Sequence, residues 1–328
     1  MISETDFIEN YLKPLCTSKA SLNLSDDTAL LNTDPSQDII ISKDMSIGGH
    51  HFFEDDDPSD IAYKALAVNL SDIAAKGAKP FAYMLGIAFP KSPDESWANK
   101  FTKSLKELID QFNLTLLGGD TTGTKGPLVI SVTIFGKVEK GRMVKRSGAK
   151  IGDKVFVSGT LGDAALGFQI RSAAKQVSNW PLNEEEKKFL LKKYLRPTPR
   201  CNLSNIIKNH ASSSMDLSDG LIVDLEKLCT ASKIGAVIRF DKLPLSNPAK
   251  KVFEAAPNLK THCLGWGDDY EILATIPEKN YESFSKTLKE TKTPMTYIGD
   301  IQSAENGIIY VKENGEELAL KGQNFSHF

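Results

Sequence analysis

No stretch of the chain approaches ~18 uninterrupted apolar residues, the length a membrane-spanning helix needs, so no membrane partner is expected. Cysteine is scarce and scattered: Cys16, Cys201, Cys229 and Cys263 form neither a Cys-x-x-Cys pair nor a metal-type spacing with histidine. That argues against a zinc site or a disulfide framework and for reduced core thiols. An excess of one charge is lacking too. With a formal net charge of −2, a pI near 6.3 and no basic run interleaved with aromatics, nucleic acid is not an expected partner. Any electrostatic function must therefore be local. Met1 to Pro14 is acidic and lacks the cationic segment and apolar run of a secretory leader, which makes a cytoplasmic location the expectation. Familiar phosphate-binding signatures are missing as well. Gly118-x4-Gly123 is followed by Thr124-Lys125 instead of Lys then Ser or Thr, no Gly-x-Gly-x-x-Gly turn follows a strand, and the catalytic-loop pattern of protein kinases is absent.

What is present suffices for two cores: 328 residues, 41% of them apolar and 25% charged. Hydrophobic periodicity predicts a helix from Pro58 to Gly77, with apolar residues on most of its faces and Ala65, Asn69, Asp72 and Lys76 on one stripe. Strands are predicted at Asp38 to Ile41, Phe81 to Phe89, Leu114 to Leu117 and Leu128 to Val138, with an amphipathic helix from Glu95 to Phe112. Glu139 to Gly152, rich in glycine and basic residues, reads as the connection to a second half. There, strands at Lys154 to Ser158, Ser212 to Met215, Gly235 to Phe240, Tyr270 to Ile276 and Met295 to Ile301 alternate with helices at Asp163 to Ala174, Glu184 to Leu195, Arg200 to Asn209, Pro248 to Ala256 and Tyr281 to Thr291. The expected fold is α/β (α+β), in two domains at about residues 1–140 and 141–328. Leu-Ser-Asp recurs at 70–72 and 217–219, which raises the possibility of a duplication without establishing it.

Asp27, Asp44, Asp72, Asp120, Asp216 and Asp219 each adjoin a strand end, a helix or a glycine-rich turn, where open α/β sheets gather ligand sites. Two carboxylates about 4 Å apart repel by roughly 4 kcal/mol at an effective protein dielectric, so a cluster of them calls for protonation or metal. Oxygen-only ligands favour Mg²⁺, which commonly pairs one or two carboxylates with a substrate's phosphates. The plain alternatives are that Lys76 neutralises Asp72 and that some aspartates, Asp153 and Asp163 among them, are simply caps or turn residues. Arg142, Lys145 and Arg146 follow the last strand of the first half, and one of them could meet a phosphate; a solvated linker is the alternative. His51 lies in the glycine loop Gly48-Gly49-His50-His51, and Gly265 to Glu271 sets acids and an aromatic before a strand, a combination suited to a cationic aromatic ligand.

Taken together the motifs resemble the thiamine-monophosphate kinase family, in the larger group with aminoimidazole ribonucleotide and selenophosphate synthetases. The residues that carry the resemblance are Ser25 to Leu30, Asp44 with His51-Phe52, Asn69 to Pro80, Gly118 to Thr122, Arg146 to Ala149, Leu195-Arg196-Pro197, Asp216 to Leu221, Gly267 to Glu271 and Phe325 to Phe328. The resemblance implies transfer of the γ-phosphoryl group of ATP to thiamine monophosphate, with several Mg²⁺ ions in a metal- and nucleotide-binding cleft between the domains. It also implies a homodimer formed through the N-terminal domains. By motif position it implies metal ligation by Asp27, Ser42, Asp44, Asp72, Asp120, Asp216 and Asp219. ATP would meet Gly119, Asp120, Arg146 and Ser218, and thiamine monophosphate would meet His51, Asp268 and Phe325. No covalent nucleophile is implied.

Four positions depart from that family's pattern: Ser25 stands for a glycine, Lys43 for a metal-binding threonine, Trp266 for a glycine and Asp268 for a glutamate. Lysine offers three donors and no acceptor, so Lys43 is expected either to replace a metal electrostatically beside Asp44 or to swing into solvent. Rival readings are a cyclase or selenophosphate synthetase of the same group and a non-catalytic nucleotide-binding protein. The selenophosphate synthetase is disfavoured by an N-terminal segment whose one cysteine, Cys16, has no glycines around it; the non-catalytic protein has no need of His51 and Asp268.

Overall fold

The computed structural model describes residues 2–318 and 320, and Phe325 lies outside them. The described chain divides into two units. The first comprises Met1–Ile73 and Ala78–Met143, and the second Ala74–Gly77 and the chain from Val144 on.

In the first unit a short helix α1 (Glu4–Phe7) precedes strand β1 (Gln37–Ile47), helix α2 (Pro58–Ala75), β2 (Lys79–Phe89), α3 (Glu95–Phe112), β3 (Leu116–Gly123) and β4 (Val129–Glu139). The four strands form one sheet in the order β1-β4-β2-β3, antiparallel except for the parallel pair β2/β3. Local chemistry sets the helix limits. Pro58 opens α2 with its φ preset, Asp94 caps α3 by accepting from Trp97 N at 2.8 Å, and Asn113 ends α3 in the left-handed region at φ 53°. Leu66, Leu70 and Ile73 of α2, Phe101, Leu105 and Leu108 of α3, and Tyr83, Leu85 and Ile134 of the sheet are all buried. The helices thus cover one face of the sheet. Strand residues alternate between faces, and on the opposite face Ile41, Met45 and Met84 stay 61%, 51% and 38% exposed.

Two strands run further than their sequences predict. β1 continues through Ser42 and Asp44 to Ile47, because a strand with one covered face can carry polar residues on its inner side without ending. β3 continues through Gly118, Gly119 and Asp120, where a glycine-rich turn was expected. Glycine at 119 serves packing: a Cβ there would lie 1.8 Å from the Leu85 carbonyl oxygen of β2.

The second unit holds β5 (Lys154–Ser158), α4 (Asp163–Arg171), α5 (Glu184–Leu195), α6 (Ser204–His210), β6 (Ser213–Asp216), α7 (Leu221–Ser232), β7 (Gly235–Arg239), α8 (Asn247–Ala255), α9 (Asn258–Leu264), β8 (Ile272–Ile276), α10 (Tyr281–Leu288), β9 (Met295–Gln302), β10 (Ile308–Val311) and β11 (Glu317–Leu318). Its seven-stranded sheet runs β11-β10-β7-β9-β5-β8-β6, antiparallel except for β7/β10. Val155, Val157, Met215, Leu225, Leu228, Ile238 and Leu273 are among the residues that fuse its strands with α7 into one core. Short α9, β10 and β11 escape sequence periodicity because each offers too few residues to establish a period.

The close approach at Gly119 makes a direct test. Gly119→Ala is expected to cost roughly 1–3 kcal/mol by forcing β3 away from β2, whereas Gly123→Ala, with nothing within 4 Å of its added methyl, should change stability by no more than about 0.5 kcal/mol. Urea denaturation of the two variants checks the contrast.

Candidate active site

In the first unit β1 and α2 bring three predicted residues together. Ser42 and Asp44, two apart on β1, share its inner side, and Ser42 Oγ donates to Asp72 Oδ2 of α2 at 2.6 Å. Burial, and then the charge of Asp72, push the Asp44 carboxyl up to about 6, against a smaller opposing pull from Lys43. All the donors are hard oxygens, and two neighbouring carboxylates of which one is held reluctantly ionised fit a divalent cation such as Mg²⁺. Asp27 and Asp120 are exposed, and neither makes a side-chain hydrogen bond to a described residue. Among the described residues no three His, Cys, Asp or Glu side chains converge on one metal position. The expected gathering of aspartates is therefore seen only at Asp44 and Asp72.

Of its two expected courses Lys43 takes the outward one. Lying between Ser42 and Asp44 on the strand, it points to the opposite, exposed face with Ile41 and Met45, and its Nζ donates to Ser131 Oγ of β4. The alternation of side chains thus sets its ammonium on the face away from the Asp44 carboxylate. His51 is half-buried after β1; its Nδ1 accepts from Ile47 N at 3.1 Å, which puts the proton of a neutral ring on Nε2. Gly119 sits inside β3.

The second unit carries the remaining predicted residues. β6 ends on Asp216, which is 7% exposed, and the turn Leu217–Gly220 leads into α7. This turn is laced to the segment before β8: Asp268 N donates to Ser218 O at 2.9 Å and Tyr270 N to Leu217 O at 2.9 Å. Gly267, at φ 104°, fits because a Cβ would lie 2.2 Å from Ser218 O. Asp268 and Tyr270 also hold positive φ values, 63° and 48°, uncommon for residues with side chains and a mark of backbone held for a purpose. Tyr270 Oη donates to Asp268 Oδ1 at 3.2 Å. Ser218 and Arg146 are exposed.

Here too the structure reveals residues that sequence reasoning passed over. Lys227, two helical turns beyond Asp219, pairs with the Asp219 carboxylate and with Asp224 Oδ1 at 2.8 Å, while Asp219 N donates to Asp224 Oδ2 at 2.9 Å. Asp224 is fully buried, and burial raises its pKa against the lowering pull of Lys227. Arg200 grips Glu271 through both carboxylate oxygens, Nε donating to Oε2 at 2.6 Å, and Ser158 Oγ adds a bond of 2.6 Å to the same oxygen. Asp163, at the first position of α4, is 1% exposed and accepts from Thr160 and Ser246 hydroxyls, each at 2.5 Å. Asp153, also buried, closes a local turn by accepting from Lys150 N at 2.9 Å. The spacing Asp219, Asp224, Lys227 was a legible signal, since i to i+3 on a helix places Lys227 over Asp224.

Residues 25–138 match the family described as AIR synthase related protein, N-terminal domain, and residues 150–312 match its C-terminal domain. The thiamine-monophosphate kinase of Escherichia coli (strain K12) is 38% identical over 327 residues, covering 99% of this chain and 98% of its own length. The chain belongs to the thiamine-monophosphate kinase family. Among solved structures, the thiamine-monophosphate kinase of Stenotrophomonas maltophilia K279a superposes with a TM-score of 0.84 at 32% identity, over 97% of this chain and 98% of that one. A second family structure, AaThiL complexed with AMPPCP and TMP, gives a TM-score of 0.77 at 31% identity over 99% of this chain and 97% of that one.

In this member of the kinase family, Lys227 is the cation that makes a buried Asp224 tolerable. Lys227→Met is expected to lower stability by roughly 3 kcal/mol at pH 8, the cost of leaving a buried charge unpaired. Because the Asp224 pKa is already raised, acid protonates the orphaned carboxyl, so the loss should shrink as the pH falls toward 5. Thermal unfolding of both proteins across that range checks the magnitude and its sign; a penalty independent of pH would contradict the assignment.

Proposed function

We propose that this protein transfers the γ-phosphoryl group of ATP to thiamine monophosphate. The bond from γ-phosphorus to the ADP oxygen breaks, one to an oxygen of the substrate phosphate forms, and thiamine diphosphate and ADP leave. Full-length kinship with thiamine-monophosphate kinases carries this reading. The structure of a relative with AMPPCP and TMP supports it, as does the local chemistry of Ser42, Asp44 and Asp72. A non-catalytic nucleotide-binding role leaves unexplained why a half-buried carboxylate pair and an Asp268 loop at positive φ are both maintained.

Asp44, Asp72 and Ser42 are the residues we assign to Mg²⁺, with Asp27, Asp120, Asp216 and Asp219 as further ligands. Bound there, the metal would neutralise the charge of the triphosphate during transfer. Asp219 can take that role only by exchanging its contact with Lys227. The rest of the work falls to the protein's own groups. Arg146 supplies an exposed guanidinium for the nucleotide phosphates, and Gly119, Asp120 and Ser218 are the other groups we assign to ATP; His51, Asp268 and Phe325 are those we assign to thiamine monophosphate. No side chain need form a covalent intermediate.

We further infer a homodimer built on the outer face of the first unit's sheet, where Ile41, Met45 and Met84 are exposed in a way that favours cover by an apolar partner. A cytoplasmic location is compatible with the finding that no described helix is long and apolar enough to cross a membrane.

Incubation with ATP, Mg²⁺ and thiamine monophosphate should yield thiamine diphosphate, and free thiamine should remain unphosphorylated; the reverse result would overturn the assignment. Asp72→Asn should lower kcat at least ~10²-fold while leaving the fold intact, since it removes charge without changing shape. Near-normal turnover would make Asp72 structural. For the dimer, Ile41→Glu should shift the mass seen in sedimentation equilibrium from two chains to one, whereas an unchanged mass would place the interface elsewhere.

A further inference from the structure

Asp219, one of the residues assigned above to Mg²⁺, already has a cation beside it. The Lys227 ammonium of α7 pairs with one of its carboxylate oxygens and also donates to Asp224 Oδ1 at 2.8 Å, so a single Nζ commits two of its three donors to two acids. The two contacts are unlike. Asp224 has no exposed side-chain surface, and its other oxygen, Oδ2, accepts from Asp219 N at 2.9 Å, so this carboxylate is held from both sides. Asp219 lies at the open end, with 36% of its side chain exposed against 35% for Lys227. Stripping a buried carboxylate of its partner is costly, whereas separating an exposed pair costs little. The ammonium is therefore fixed at Asp224 and exchangeable at Asp219.

We propose that Lys227 is a resident competitor of the metal at Asp219: an incoming divalent ion must displace its ammonium, which then stays close enough to repel that ion. The inference rests on the assignment of Asp219 to the metal in the functional reading above and adds what opposes the metal there. Displacement needs little rearrangement. The Asp219 backbone stays bound to Asp224 through its amide, so only the Asp219 carboxylate and the end of the Lys227 stem have to turn. The displaced ammonium cannot go far, because Asp224 and Lys227 stand three apart on α7 and are neighbours on one face of the helix. Charge decides which ions succeed. At equal distance a divalent ion attracts the carboxylate twice as strongly as an ammonium does, while a monovalent ion only matches the ammonium and lacks its tether. Lys227 thus steadies the Asp219 turn when the metal is absent and weakens the metal's hold when it is present.

Lys227→Met alone would orphan Asp224, so the test is made where that acid is already neutral: Asp224→Asn, which keeps the ammonium beside Asp219, against Asp224→Asn/Lys227→Met, which removes it. Nucleotide-free protein is titrated with Mn²⁺ as the probe for Mg²⁺, the free ion being counted by electron paramagnetic resonance. Removing the ammonium should lower the Mn²⁺ dissociation constant about fivefold, the factor that corresponds to an ion pair worth ~1 kcal/mol. The same comparison with Asp219→Asn added to both proteins should show no difference. Equal affinities with and without the ammonium, a gain that persists after Asp219→Asn, or no Mn²⁺ bound by the protein without the ammonium overturns the inference. None of these measurements involves thiamine monophosphate, so they are distinct from the functional reading, which falls if the unaltered protein makes no thiamine diphosphate.

Discussion

Enclosed carboxylates are the constraint around which both units are arranged. A carboxylate taken out of water must find a cation, a set of N–H or O–H donors, or a proton, and each acid here settles on a different remedy. Glu271 has the Arg200 guanidinium and the Ser158 hydroxyl; Asp224 has Lys227; Asp163 has two hydroxyls. Asp269 receives the Gly162 and Ala164 amides at the start of α4, at 2.8 and 3.4 Å. Although part of its surface is exposed, its carboxyl is enclosed, and burial raises it well above the usual range while those amides pull the other way. Asp44 is treated differently. It faces a second carboxylate, and the Ser42 hydroxyl that could have eased the pair is committed to Asp72. An unrelieved repulsion among relieved ones is what separates a site from a scaffold.

Much of this was legible in the sequence, and the limits have physical causes. Helices α2 and α3 and strands β2, β4 and β5 follow from long periodic runs. Ser42 and Asp44 were read as lying beyond a strand because polar residues after Ile39-Ile40-Ile41 look like an ending; in fact the strand goes on, and its inner side changes from core to site. The same habit of reading glycine as a turn hid the continuation of β3 through Gly118 and Gly119. Sequence alone also could not tell on which side of β1 Lys43 would fall, since that depends on where the strand begins. The Arg200–Glu271 pair spans 71 positions, a separation over which no local pattern carries information.

Some of the chain's departures from family pattern acquire a physical setting here. Asp268, a methylene shorter than glutamate, stands at positive φ and is steadied by Tyr270, so the shorter acid is held by backbone and phenol together. Trp266 replaces a residue without a side chain by the largest available one, and it packs against Phe168 and His262 rather than projecting into solvent. Lys43 is drawn to Ser131 across the strand pair, away from the side on which its neighbours Ser42 and Asp44 lie. Its charge still exerts a small lowering pull on the Asp44 carboxyl.

The alternation along β1 makes this strand intolerant of changes in length. Its inner row holds Ser42 and Asp44, and its outer row Ile41, Lys43 and Met45, so a single inserted or deleted residue between Ile39 and Ser42 would exchange the two rows past that point. An ammonium and two large apolar side chains would then be driven against α2 while Ser42 and Asp44 faced outward. Substitution can tune either row by itself, but frame-preserving insertions and deletions are barred from the strand. Variation in length among descendants of this sequence is therefore expected to collect in the loops at residues 25–36 and 48–57, not within β1.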